Sequence, residues 1–153
     1  MRSDLPIKGN YVQITGEHAP AFLDRFITFY DSVILGVAIQ TAPGKLATVR
    51  VDIQAMDKMT PTTPGPGDGR RSEWCHVQLT VYGVHEYRFL ESRRFPYRVL
   101  SDGMAVAASP TEFVLDLDPG PDEWSPSQVY REGIYSKQYV VGERGDYEVT
   151  NIR

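Results

Sequence analysis

Between Glu73 and Tyr82 the sequence reads EWCHVQLTVY, and its period is two. Cys75, Val77, Leu79 and Val81 fall on one side of an extended chain, and His76, Gln78, Thr80 and Tyr82 fall on the other. Such alternation describes a strand with one buried and one wet face, and a helix cannot satisfy it. The pattern recurs from Lys45 to Ala55, where Val49, Val51, Ile53 and Ala55 point inward and Arg50, Asp52 and Gln54 outward. Shorter candidates follow at Glu86–Ser92, Tyr97–Leu100, Met104–Ala108, Thr111–Leu117, Ile134–Val141 and Tyr147–Ile152, with turn signals every 8–12 residues. That spacing specifies antiparallel β structure rather than βαβ units.

One helix is expected, over Pro20–Tyr30, with Phe22, Phe26, Phe29 and Tyr30 as its buried stripe. Asp31 and Ser32 are read as closing that helix, because their side chains compete for backbone hydrogen bonds. Ser32–Gln40, SVILGVAIQ, is apolar on both sides. It is therefore expected to be a central strand, with the helix on its second face. Glu73–Tyr82 and the strand from Glu86 are expected to pair as a hairpin, which would make His76 and His85 neighbours. The fold class is mainly β (α+β): an antiparallel sheet or sandwich of about seven or eight strands with one N-terminal helix. The whole chain, 1–153, is read as one domain, with irregular loops near 56–72 and 118–133. The first of these carries three prolines and three glycines between Pro61 and Gly69.

Composition narrows the function. The formal charge is −4 and the sixteen basic residues are scattered, so the basic footprint of a nucleic-acid binder is missing. The apolar runs are too short for a membrane helix or a signal-peptide core. Cys75 is the only cysteine, which suits a reducing compartment. The expectation is a cytoplasmic protein with no membrane and no nucleic-acid partner.

Candidate chemistry is sparse. The three histidines, His18, His76 and His85, show no metal-ligand spacing, and no metal or cofactor is expected. Cys75 is expected inside its strand, with His76 on the opposite face, so it lacks the base a nucleophile needs. Asp116, Asp118, Asp122 and Glu123 lack the glycine and terminal glutamate of a calcium loop, and Asp116 is read as the solvent side of its strand. GPGDGR has glycines but no following helix and no GK[ST]. Trp74 is assigned to the core. The remaining aromatics and polar strand positions suggest a binding surface built from His76, Gln78, Tyr82, Trp124 and Tyr130. The alternative is a small-ligand binder or hydrolase using a cleft near His76, Gln78 and Tyr82.

The order FYDSVILGVAI, then ATVRVDIQA, then WCHVQLTVYGVHEYRF resembles small bacterial β-rich domains. These have an aromatic-x-Asp-Ser-x-Ile/Leu segment and a strand ending in aromatic-Gly-Val, and some are similar to immunity proteins encoded beside toxins. The matching positions are Tyr30, Asp31, Ser32 and Ile34, and then Tyr82, Gly83 and Val84. The resemblance implies a non-enzymatic protein that binds a protein partner and uses no cofactor. Edge strands also make a homodimer a reasonable expectation.

Overall fold

A computed structural model describes residues 11–59, 73–91, 93–94, 98–130 and 136–151. Its elements are β1 (Val12–Gln13), α1 (Ala19–Arg25), β2 (Ser32–Ala42), β3 (Lys45–Asp57), β4 (Glu73–Val84), β5 (Glu86–Phe89), β6 (Val99–Leu100), β7 (Ala105–Ala108), β8 (Phe113–Asp116), β9 (Gln138–Gly142) and β10 (Arg144–Asn151). Among the described residues ten strands thus stand where about seven or eight were expected, and β1 and β6 contribute only two residues each. They form two antiparallel sheets, one of six strands in the order β1-β10-β4-β3-β2-β6 and one of four in the order β5-β9-β8-β7.

One apolar core joins them. Val49, Val51 and Ile53 of β3, Cys75, Val77, Leu79 and Val81 of β4, and Phe113, Leu115 and Val140 of the smaller sheet are at most 1% exposed. The alternation read from the sequence sets this directly: every second residue is buried from Val49 to Ala55 of β3 and from Cys75 to Val81 of β4. The Phe22, Phe26 and Phe29 rings cluster at 5.0–5.6 Å, and Phe22 and Phe26 also meet Tyr147 of β10. The helix therefore covers β10 on the core side, and not the second face of β2.

The chain changes sheets where a hairpin was expected. β4 pairs with β3 and β10, whereas β5 pairs with β9, so His76 and His85 are not cross-strand neighbours. Gly83 makes this step at φ +62°, with the Glu143 side chain packed where a Cβ would project. Gly103, at φ +72°, carries the chain from β6 to β7 in the same way. Left-handed backbone of this kind is cheap only for glycine.

Further expectations are corrected. The helix ends at Arg25, because Ile27, Thr28 and Phe29 take φ of 54–61° and form a left-handed turn. That turn is held by Phe29 N–H to Phe26 O at 2.8 Å and by Met104 N–H to Thr28 O at 3.0 Å. Phe22, Phe26 and Phe29 are buried as the stripe requires, while Tyr30 is exposed. Asp31 is exposed, and its N–H donates to Leu100 O, so it leads the chain into β2 and does not cap the helix. β2 itself lies near the margin of its sheet: among the described residues, only Arg98 and β6 line its outer edge, from Asp31 to Ile34. The irregular segment expected near 56–72 begins later, since β3 continues to Asp57; residues 60–72 lie outside the described residues.

Arg25 ties the helix to the end of β3. Its Nε and Nη2 donate to the two carboxylate oxygens of Asp57, each at 2.9 Å, and Asp57 is 1% exposed. No helix among the described residues is long and apolar enough to cross a membrane.

Candidate functional site

The helix and the smaller sheet lie on one face of the six-stranded sheet. On its other face, β4 sets out Trp74, His76, Gln78, Thr80 and Tyr82 in one row. Trp74, assigned to the core from the sequence, is 47% exposed here and stands opposite Met56, because it shares the parity of His76 and not that of Cys75. The antiparallel register brings Asp52 of β3 opposite Gln78 and Arg50 opposite Thr80. From β10 it brings Thr150 opposite His76, Glu148 opposite Gln78, Asp146 opposite Thr80 and Arg144 opposite Tyr82.

These groups use one another. Asp52 Oδ1 lies 3.0 Å from His76 Nε2 and accepts from Gln78 Nε2 at 3.2 Å, while Asp52 Oδ2 faces Arg50 Nε at 3.4 Å. At the far end the Arg144 guanidinium sits 4.0 Å above the Tyr82 ring, a cation–π arrangement. The Tyr82 hydroxyl donates toward Asp146. Burial, then the Asp146 charge, pushes the Tyr82 pKa up to about 12. Burial also raises the Asp146 carboxyl above the ordinary carboxylate range, against the lowering effect of the Tyr82 hydrogen bond. Asp146 Oδ1 is buried with no hydrogen-bond partner among the described residues.

The candidate residues named from the sequence thus divide into two places. His76, Gln78 and Tyr82 share one face of β4. Trp124 lies instead against the smaller sheet, packed with Val114, Val129, Tyr139 and Val141. Its Nε1–H donates to Asp116 Oδ2 at 2.9 Å. Tyr130 ends the short 3-10 turn Pro126–Tyr130 that follows. Asp116 is also a correction: it is 1% exposed, because that turn covers the outer face of β8, and its Oδ1 accepts from Ser136 Oγ at 2.6 Å and Asp118 N–H at 2.9 Å. A carboxylate satisfied in this way by local donors is structural.

Other candidates resolve into packing. Cys75 is fully buried, and desolvation, with a smaller push from Asp57, raises its pKa to about 12, so the reactive thiolate is absent near neutral pH. His18 bonds Thr15 Oγ1 at 2.9 Å. Glu86 accepts from the Tyr139 hydroxyl in the smaller sheet, apart from His76. No group of three His, Cys, Asp or Glu side chains among the described residues is placed to hold a metal ion. A cavity of about 640 Å³ opens at the end of the molecule, between Gln13–Glu17, Ala108–Thr111 and Glu143–Arg144. It meets the β4 face through Arg144 and through Gln13, which stands opposite Asp146.

Trp74, Arg144 and Asp146 are members of the face that sequence reasoning missed. The strand expected from Tyr147 begins at Arg144, since the alternation of Asp146, Glu148 and Thr150 with Tyr147 and Val149 extends it back.

Fold and face together define a two-sheet antiparallel β protein with a polar and aromatic platform on its larger sheet. Comparison with family models, with curated proteins and with solved structures finds no match for the chain.

Proposed function

We propose that this chain is a non-catalytic binding protein that holds a protein partner on the β4 face of its six-stranded sheet. The observation that carries the reading is the single row of Trp74, His76, Gln78 and Tyr82, fixed from both sides by Asp52 and Arg144. Trp, Tyr and Arg dominate the energetics of protein interfaces, because they bury large area and keep a polar handle. Here the polar groups are already oriented by their neighbours, so little side-chain freedom remains to be lost on binding. The narrower reading, an immunity-type protein of a bacterial cell, is supported by the sequence resemblance around Tyr30–Ile34 and Tyr82–Val84. Such a protein neutralises its partner by occupying it and needs no chemistry of its own.

The test is capture of the product of the adjacent gene by the wild-type chain and by the double variant Trp74→Ala, Tyr82→Ala. Binding that weakens at least tenfold in the double variant, with unchanged circular dichroism, supports the reading. Undiminished binding by the folded variant overturns it.

One observation favours a second reading, the small-ligand binder or hydrolase. The His76–Asp52 contact at 3.0 Å is an oriented imidazole, half of an activated-nucleophile arrangement. Ester hydrolysis by the purified chain that disappears in His76→Ala would favour it over the binding role.

A further inference from the structure

The cavity of about 640 Å³ is bounded by segments of both sheets. Gln13–Glu17 leads out of β1 of the larger sheet, Ala108–Thr111 joins β7 to β8 of the smaller one, and Glu143–Arg144 carries the chain from β9 into β10. Its volume falls within the range of roughly 300–1,000 Å³ that small-molecule sites occupy.

Its walls are fixed by backbone. Gly16 passes so close to Ala108 that an added Cβ would lie 2.5 Å from the Ala108 carbonyl oxygen, and a Cβ at Gly145 would lie 2.6 Å from the Phe113 ring. Ile14 N–H donates to Gly145 O at 2.9 Å, which ties the first wall to the third. In the second wall Ser109 Oγ accepts from Thr111 N–H at 3.3 Å and from Glu112 N–H at 3.0 Å. A site built this way is formed before a ligand arrives, and little ordering is left to oppose binding.

The lining has an apolar backing and one uncompensated sign of charge. Ile14 and Phe113, both members of the core, close the inner side. Three lining residues are charged: Glu17, Glu143 and Arg144. Arg144 is engaged on the β4 face, its guanidinium 4.0 Å above the Tyr82 ring. Glu143 packs against Gly83, and Glu17 lies within the turn in which Ala19 N–H donates to Thr15 O at 2.9 Å. Both glutamates are exposed, and among the described residues neither has a hydrogen-bond or ion-pair partner.

We infer that this cavity binds a small organic cation, with its ammonium held by Glu17 and Glu143 and its apolar body against Ile14 and Phe113. A neutral molecule of the same shape would cover the two carboxylates without pairing them, and an anion would be repelled, so the site discriminates by charge. The volume calls for a whole small molecule, since a single lysine side chain from a protein partner would leave most of it empty. The inference is independent of the partner proposed for the β4 face. Its test uses the chain alone, so its failure and the failure of that reading are separate results.

The probe is 2-phenylethylamine, compared with neutral 2-phenylethanol and anionic 3-phenylpropanoate by calorimetric and NMR titration of the full chain at neutral pH. The amine is expected to bind with a Kd below about 1 mM. The alcohol and the acid are each expected to bind about tenfold more weakly or not at all. Amide shifts caused by the amine are expected in Gln13–Glu17, Ala108–Thr111 and Glu143–Arg144. The double variant Glu17→Gln, Glu143→Gln changes only exposed side chains; it is expected to keep the wild-type circular dichroism and to bind the amine about tenfold more weakly. Four results overturn the inference: no amine binding up to about 10 mM, equal binding of the alcohol or the acid, undiminished binding by the folded double variant, or amide shifts confined to other parts of the chain.

Discussion

β4 and β2 are both long apolar strands of the same sheet, and they meet opposite fates. In β4 one side is sealed at 0–1% exposure from Cys75 to Val81, and the other carries the half-exposed His76, Gln78 and Tyr82. It lies between β10 and β3, paired along most of its length. β2 is the more hydrophobic strand, yet beyond Ile34 its side chains are left outside. Alternation tells a strand which face to bury, and so it fixes a position between two layers. A uniformly apolar run says only that burial is favourable, and leaves open whether the cover comes from the same chain or another.

The largest contrast should appear on truncation. Leu79→Ala in β4 is expected to cost about 2–5 kcal/mol, the range for a buried leucine whose cavity cannot collapse. Ile39→Ala in β2 should cost about 0.5 kcal/mol or less. Urea unfolding of both variants checks this, and equal losses would break the distinction between the strands.

Next comes the junction that positions the start of β2. Gly103→Ala is expected to destabilise by more than about 1 kcal/mol, since φ is +72° and an added Cβ would lie 2.3 Å from Thr28 O. Gly44→Ala, at the tip of the β2–β3 turn with the same φ but open space around it, should cost less. Thermal melts of the two variants separate backbone strain from the clash.

Arg25→Ala removes both guanidinium contacts to buried Asp57 and should cost about 2 kcal/mol, the scale of hydrogen bonds to a charged group. Asp57 closes β3 opposite Glu73, the first residue of β4. Hydrogen exchange should therefore loosen at that end of β3 and β4 and leave the Val37–Ala42 end of β2 unchanged.

The smallest effect is on the β4 face itself. Burial raises the Asp146 carboxyl, so its ionisation opposes folding. The stability this group contributes is complete below the ordinary carboxylate pKa and is lost as pH rises through the raised folded value. Asp146→Asn should remove that slope, so the variant gains on the wild type as pH rises from the acid side toward neutrality. A parallel pair of stability–pH curves would contradict the assignment.

Much of the fold was legible in the sequence. The alternating residues of β3 and β4 are the core of the larger sheet, and the phenylalanine stripe from Phe22 to Phe29 is buried even though its backbone is not one continuous helix. What could not be read is long-range. β4 and β5 are separated by His85 alone, yet Gly83 sends them to different sheets; the intervening sequence reads as a hairpin because pairing partners are chosen by layers assembled from distant segments. Asp116 reads as solvent-facing because its cover, Trp124 and the turn after it, follows in an irregular segment without periodicity. The β4 face was half legible. His76, Gln78 and Tyr82 fall on one side by alternation, but Asp52, Arg144 and Asp146 reach them only through cross-strand register.

β4 is thus paired on both sides within the chain, whereas no described residue pairs with the outer edge of β2 beyond Ile34. Amide hydrogen exchange compares the two strands in a single experiment. Amides between Leu35 and Ala42 are expected to exchange faster than those of Val77, Leu79 and Val81. Protection of β2 equal to that of β4 would contradict the account.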